Sequence, residues 1–87
     1  MKIKADVVLR EIAGDYLLVP MGETVMKYNG LFSLSEVGAR IWTLLPEADS
    51  EEYIVKKLTE EYDAGEDDIK SDVSEFLNKL REMDIIE

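Results

Sequence analysis

Cysteine and histidine are both absent from this 87-residue sequence, and their absence removes more chemistry than any motif present supplies. Without cysteine there is no disulfide, no thiolate nucleophile and no iron–sulfur cluster held by the chain's own thiolates. Without histidine the usual general base and the commonest zinc ligand are also missing. A cysteine-free chain agrees with a cytoplasmic location. No apolar run approaches the roughly 18 residues needed to span a bilayer. The opening Met1-Lys2-Ile3-Lys4-Ala5-Asp6 lacks a signal-peptide core. The glycines at 14, 22, 30, 38 and 65 stand apart, so no phosphate-cradling loop is present.

Basic charge is scarce in one half of the chain. Residues 1–45 carry five basic and five acidic side chains, whereas residues 46–87 carry five and fifteen. The whole net charge of −10 therefore lies in the second half. Such a surface repels phosphate backbones and anionic lipid, so neither nucleic acid nor membrane is an expected partner. It is simplest as a solubilising face, and it would also attract a basic partner.

The apolar fraction of 46% is that of a folded protein, and the length suits a single domain over residues 1–87 with one modest core. The stretch from Leu31 to Leu45 organises the rest. Phe32 and Leu34 fall on one side of a strand and Ser33 on the other. At Ser35, a good N-cap, the pattern becomes helical, with Val37, Ile41, Leu44 and Leu45 on one face. Pro46 ends that helix. Upstream, Val7 to Ile12 and Tyr16 to Val19 read as a hairpin around Ala13-Gly14-Asp15. Thr24 to Tyr28 is again strand-like, and Asn29-Gly30 is a turn signal, either a hairpin tip or an irregular bend.

Two more helices follow. Asp49 and Ser50 compete to cap the first, whose apolar stripe is Ile54, Val55, Leu58 and Tyr62. The second starts near Glu66 to Asp68 and carries Ile69, Val73, Phe76, Leu77 and Leu80. Ile85 and Ile86 form an apolar tail expected to fold back onto the core. Strands grouped before helices indicate an α+β fold.

Chemical motifs are weak. Carboxylates on amphipathic helices are ordinarily solvated surface, and an acid pair for glycoside hydrolysis is not expected in so small a domain. Asp63-Ala64-Gly65-Glu66-Asp67-Asp68 lacks the alternating ligand order of a calcium loop and reads as a helix stop and start. Asp49-Ser50 invites comparison with an acyl-carrier protein, but a β half precedes it and Glu51 follows it. Trp42 and Phe76 fall at helical spacing and are expected in the core. No catalytic residue, metal or cofactor is expected.

In order and spacing, the chain resembles the PqqD family, the small proteins and domains also called RiPP recognition elements. The residues that carry the likeness are Gly14-Asp15-Tyr16-Leu17-Leu18-Val19-Pro20 and Leu34-Ser35-Glu36-Val37-Gly38-Ala39-Arg40-Ile41-Trp42. Further on they are Ile54, Leu58 and Tyr62, then Asp72-Val73, Phe76-Leu77, Leu80 and Ile85-Ile86. The family usually has asparagine where Ser35 stands, and both residues cap helices.

The resemblance implies a winged helix-turn-helix-like fold, with a three-stranded antiparallel sheet followed by three helices. It also implies a non-catalytic protein that binds the leader segment of a ribosomally made precursor peptide. Such a protein presents the leader to a modifying enzyme, often a radical S-adenosylmethionine (SAM) enzyme. The leader would add as a strand to the third strand and lie against the third helix. Strand addition uses unpaired backbone groups for affinity and side-chain pockets for specificity. On a third strand spanning Val25 to Leu34, with Val25 at its start, the expected contacts are Leu31 and Ser33, or Lys27 and Tyr28, depending on the register. Opposite them stand Ile69, Asp72, Val73, Phe76 and Lys79, several of which must also serve the core. The acidic third helix would favour a leader with Lys or Arg near its apolar anchors. The alternatives are a winged-helix DNA-binding regulator and an adaptor that binds only its partner enzyme. The exposed edge also leaves open a monomer or a weak homodimer.

Overall fold

The computed structural model describes residues 1–22, 24 and 32–87. Strands β1 (Val7–Ile12) and β2 (Asp15–Pro20) form an antiparallel hairpin. Its loop is Ala13-Gly14, with φ of 51° and 86°. Positive φ at both central residues belongs to a type I′ turn, whose twist matches that of the flanking strands. Strand β3 (Phe32–Leu34) pairs antiparallel with β2, giving the sheet order β1-β2-β3. Pro20 can close β2 because it lies opposite Val7, one step beyond the bonded pair Val8–Val19, and owes β1 no amide. Val7, Leu9, Leu18, Phe32 and Leu34 face the helices, and alternate residues such as Arg10 and Ser33 face away.

Helix α1 (Glu36–Leu44) starts where the serine suggests: Ser35 Oγ accepts the Gly38 amide at 3.0 Å. A single 3-10 turn over Leu45–Glu47 carries Pro46 past its end. Helix α2 (Glu51–Glu61) is capped by Ser50, whose hydroxyl accepts the Tyr53 amide at 3.3 Å, so Ser50 and not Asp49 holds the cap. Helix α3 (Glu66–Glu82) has no side-chain cap, and Glu66, Asp67 and Asp68 in its first turn complement the positive end of the dipole.

The end of α3 is a Schellman motif. Asp84, at φ 59°, takes the left-handed position. Its amide donates to the Arg81 carbonyl at 3.0 Å, and the Ile85 amide to the Leu80 carbonyl at 2.9 Å. That reversal turns Ile85 and Ile86 into the core, where they are 0% and 2% exposed. The Ile85 carbonyl then accepts the Lys4 and Ala5 amides, and Ile3 bridges to Ile86, so the two ends of the chain run side by side. A Lys4–Asp84 ion pair lies over the junction.

Among the described residues, three antiparallel strands and the three α-helices that follow them agree with the α+β, winged helix-turn-helix-like expectation. Trp42 is core, as expected. Thr24, expected to begin the strand-like stretch to Tyr28, is helical instead, and its amide reaches back to the Met21 carbonyl at 3.1 Å. The remainder of that expected strand before Phe32, and the Asn29-Gly30 turn, lie outside the described residues. Among the described residues no helix is long and apolar enough to cross a membrane.

Arg40 ties α1 to the end of α2 through a two-pronged ion pair. Its Nε donates to Glu61 Oε1 at 2.7 Å and its Nη2 to Oε2 at 2.6 Å. The hydrogen bonds from Arg40 hold the Glu61 carboxyl below its ordinary 4.5, and the same bonds raise the guanidinium. Both side chains are about one-third exposed, so solvent screens the pair and it contributes only about 0.5 kcal/mol. A depressed folded-state pKa gives stability that is present above the unfolded value and lost as pH falls through the folded one. Glu61→Gln is therefore expected to lower stability by about 0.5 kcal/mol at neutral pH. In urea melts run as a pH series, that difference should close as the pH drops below 4.5. Ala13 has a Cβ in a left-handed conformation that asparagine tolerates better. Ala13→Asn should raise stability by about 0.5–1 kcal/mol, read from the same melts.

Candidate functional site

The hairpin loop decides which backbone groups β3 presents. A two-residue turn makes Ile12–Asp15 a pair that exchanges both hydrogen bonds, and bonded and non-bonded pairs then alternate along the ladder. Arg10–Leu17 and Val8–Val19 are therefore bonded, and the backbone groups of Tyr16 and Leu18 point the other way, toward β3. They meet Leu34 and Phe32 in the observed register. Ser33, opposite Leu17, is left with its N–H and C=O directed out of the sheet. Neither group has a hydrogen-bond partner among the described residues. Ser33 is exposed and sits on the edge of the three-stranded order.

Helix α3 stands across from this edge. Between them lies a cavity of about 360 Å³, walled by Phe32 and Leu34 on the strand and by Phe76, Leu80 and Met83 on the helix. Its floor is Leu18 and Ile85. A second cavity of about 320 Å³ continues past the end of β3, between Ser35, Val37 and Gly38 of the α1 start and Asp72 and Glu75 of α3. Phe76 and Lys79 border both.

The half-buried Phe76 ring divides the two cavities, and its seat depends on Gly38. A Cβ built at Gly38 would stand 3.3 Å from Phe76 Cε1, closer than side chains normally tolerate. Glycine inside a helix costs about 1 kcal/mol relative to alanine, and here it permits the close approach of the ring. A different cavity of about 560 Å³ lies on the other side of α3, against α2, lined by Glu51, Val55, Glu66 and Lys70. It has no sheet edge beside it.

Of the expected site residues, the structure brings Ser33, Phe76, Lys79 and Asp72 to one groove. Ile69 and Val73 do not reach it. They are 6% and 0% exposed and face the core, because they fall on the stripe shared with Leu77 and Leu80. Val25, Lys27, Tyr28 and Leu31 lie outside the described residues. Phe76, expected as core, is a dividing wall that packs against the core from the groove. Sequence reading missed Glu75, Met83 and Ile85 as lining residues. Met83 follows Phe76 by seven positions, a helical repeat that could have identified it. Among the described residues no cluster of His, Cys, Asp or Glu is arranged to hold a metal ion.

Residues 16–86 match the family of coenzyme PQQ synthesis protein D (PqqD). Among solved structures the chain is similar to TbiB1 in complex with the TbiA(beta) leader peptide. The identity is 31%, the match covers 100% of this chain and 95% of that one, and the TM-score is 0.75. No curated protein matches the chain.

Gly38→Ala tests the seat of the ring. The helix gains about 1 kcal/mol in propensity, and the half-buried ring yields by a few tenths of an ångström into the groove. Thermal stability should stay within about 1 kcal/mol of the parent, while the Phe76 ring resonances shift. Unmoved ring signals would show that the contact does not position Phe76.

Proposed function

This chain belongs to the PqqD family, and on that premise we propose that it captures the leader segment of a ribosomally made precursor peptide. The leader adds as a fourth strand to the β3 edge and lies against α3. Capture is non-catalytic, as the family likeness implies: the groove supplies hydrogen-bonding groups and shape. The bound leader is presented to a peptide-modifying enzyme, which we take to be a radical SAM enzyme as the family likeness suggests. Residues 1–87 act as one recognition domain, and the cysteine-free chain suits the cytoplasm.

The observation that carries this reading is the outward pair of backbone groups on Ser33, facing a cleft whose far wall is α3. An edge strand with unpaired groups is a template for another strand. The leader peptide bound to the similar TbiB1 supports the same use of this fold. The Ser33 groups supply the bonds, Phe76 and Lys79 form the wall, and Asp72 stands at the far end. Val25, Lys27, Tyr28 and Leu31, which lie outside the described residues, remain proposed leader contacts.

Ser33→Pro gives a selective test. Proline removes an amide that the sheet does not use, at the kind of edge position where proline is tolerated. The variant should keep its circular dichroism and melting temperature. Affinity for a leader peptide, followed by amide NMR titration, should fall at least about tenfold, the equivalent of roughly 1.4 kcal/mol. In the parent protein, shifts should concentrate on residues 32–34 and 72–83. Unchanged affinity in Ser33→Pro would rule out strand addition at this edge. Co-purification of the modifying enzyme that is indifferent to precursor would favour a plain adaptor.

A further inference from the structure

The two cavities along the groove differ in chemistry. The one beside β3 is walled by Phe32, Leu34, Phe76, Leu80 and Met83 and is apolar apart from Ser33 and Lys79. The one beyond it is bordered by Asp72 and Glu75, both exposed and without an ion-pair partner among the described residues. Against these stand Lys79 and the N-terminal end of α1, worth roughly half a positive charge. The balance at the second cavity is negative.

The cavities also follow one another in a fixed order. Passing from Phe32 through Leu34 to Gly38, the facing α3 residues change from Leu80 and Met83 to Asp72 and Glu75. Strand and helix therefore run in opposite directions along one groove. The midpoint of Asp72 and Glu75 is eight residues from the midpoint of Leu80 and Met83. At about 1.5 Å per helical residue that is about 12 Å. An extended peptide covers this distance in about three to four residues, at roughly 3.4 Å each. Of these two spacings only four is even and turns both side chains to the same face of the added strand.

We propose that the groove reads a leader through two side chains four residues apart: an apolar one lodged between Leu80 and Met83, and a Lys or Arg lodged between Asp72 and Glu75. This rests on the strand-addition reading above and assigns the class of peptide that the site prefers. A cation three or five residues from the anchor emerges on the opposite face, away from α3, and gains nothing.

The test uses synthetic 13-residue peptides of Thr and Ser with one central Leu, titrated into the labelled full chain and followed by amide NMR. Lys or Glu is placed four residues before or after the Leu, and Lys three residues away serves as the control. In one of the two directions, Lys at four should bind about tenfold more tightly than Glu at four, a difference of about 1.4 kcal/mol. That preference should shrink with added salt and vanish in the Asp72→Asn, Glu75→Gln double variant. Lys at three should show no preference for the parent over the double variant. If Lys and Glu at four bind alike in both directions while Ser33 still shifts, the cation site is overturned and strand addition stands. If no peptide shifts Ser33 at millimolar concentration, the reading beneath the proposal falls with it.

Discussion

The sheet depends on a parity set at its first turn. Because Ala13-Gly14 closes the hairpin in two residues, the bonded pairs along β1 and β2 follow without further choice. That parity sends the backbone groups of Tyr16 and Leu18 toward β3 and those of Ser33 outward. A slip of one residue would put Leu18 and Arg10 on the same face, so either Leu18 would turn to solvent or Arg10 would be buried. Leu18 is 1% exposed, so the core itself holds the register against such a slip. The same requirement that buries Leu18 thus exposes a donor and an acceptor on Ser33. Core packing and a sticky edge follow from one constraint.

Helix α3 divides its circumference between two tasks. Ile69, Val73, Leu77 and Leu80 recur at four, four and three residues and form the buried stripe. Asp72, Glu75, Phe76 and Lys79 fall to one side of that stripe, toward β3 and the start of α1. Phe76 lies nearest the stripe, which is why it touches both core and groove. The stripe is anchored at its far end by the Schellman turn, which returns Ile85 beneath the same cavity. The groove is therefore a by-product of how the C-terminal half of the helix is held, with Gly38 against the Phe76 ring and Ile85 under the floor.

Much of this was legible in the residues because local chemistry and global fold agree. Ser35 and Ser50 are caps with apolar helices behind them, and Ile85-Ile86 had no plausible place other than the core. Three features were not legible, each for a physical reason. Asp49 and Ser50 are both competent caps, and only the helix's exact start chooses between them. Asp84 adopts a left-handed conformation without being glycine, so the stop of α3 carries no sequence signal. Ile69, Val73 and Phe76 share one apolar pattern, and periodicity alone cannot say which member lies at the stripe's edge. The angle between β3 and α3 makes that distinction, and it is a tertiary quantity.

A winged helix-turn-helix-like fold can be used in two ways, and electrostatics separates them. For DNA, the third helix must lie in a groove flanked by phosphates, and affinity comes from Lys and Arg. Here the exposed residues of α3 include Glu66, Asp67, Asp68, Asp72, Glu75 and Glu82 against Lys70, Lys79 and Arg81. Docked on a duplex, those six carboxylates would meet a like-charged backbone. Strand addition makes no such demand, since its main bonds come from an uncharged main chain. Acid on the helix face leaves those main-chain bonds untouched and disfavours the competing polyanion. Charge that disfavours one use of the fold is compatible with the strand addition proposed at the edge of β3.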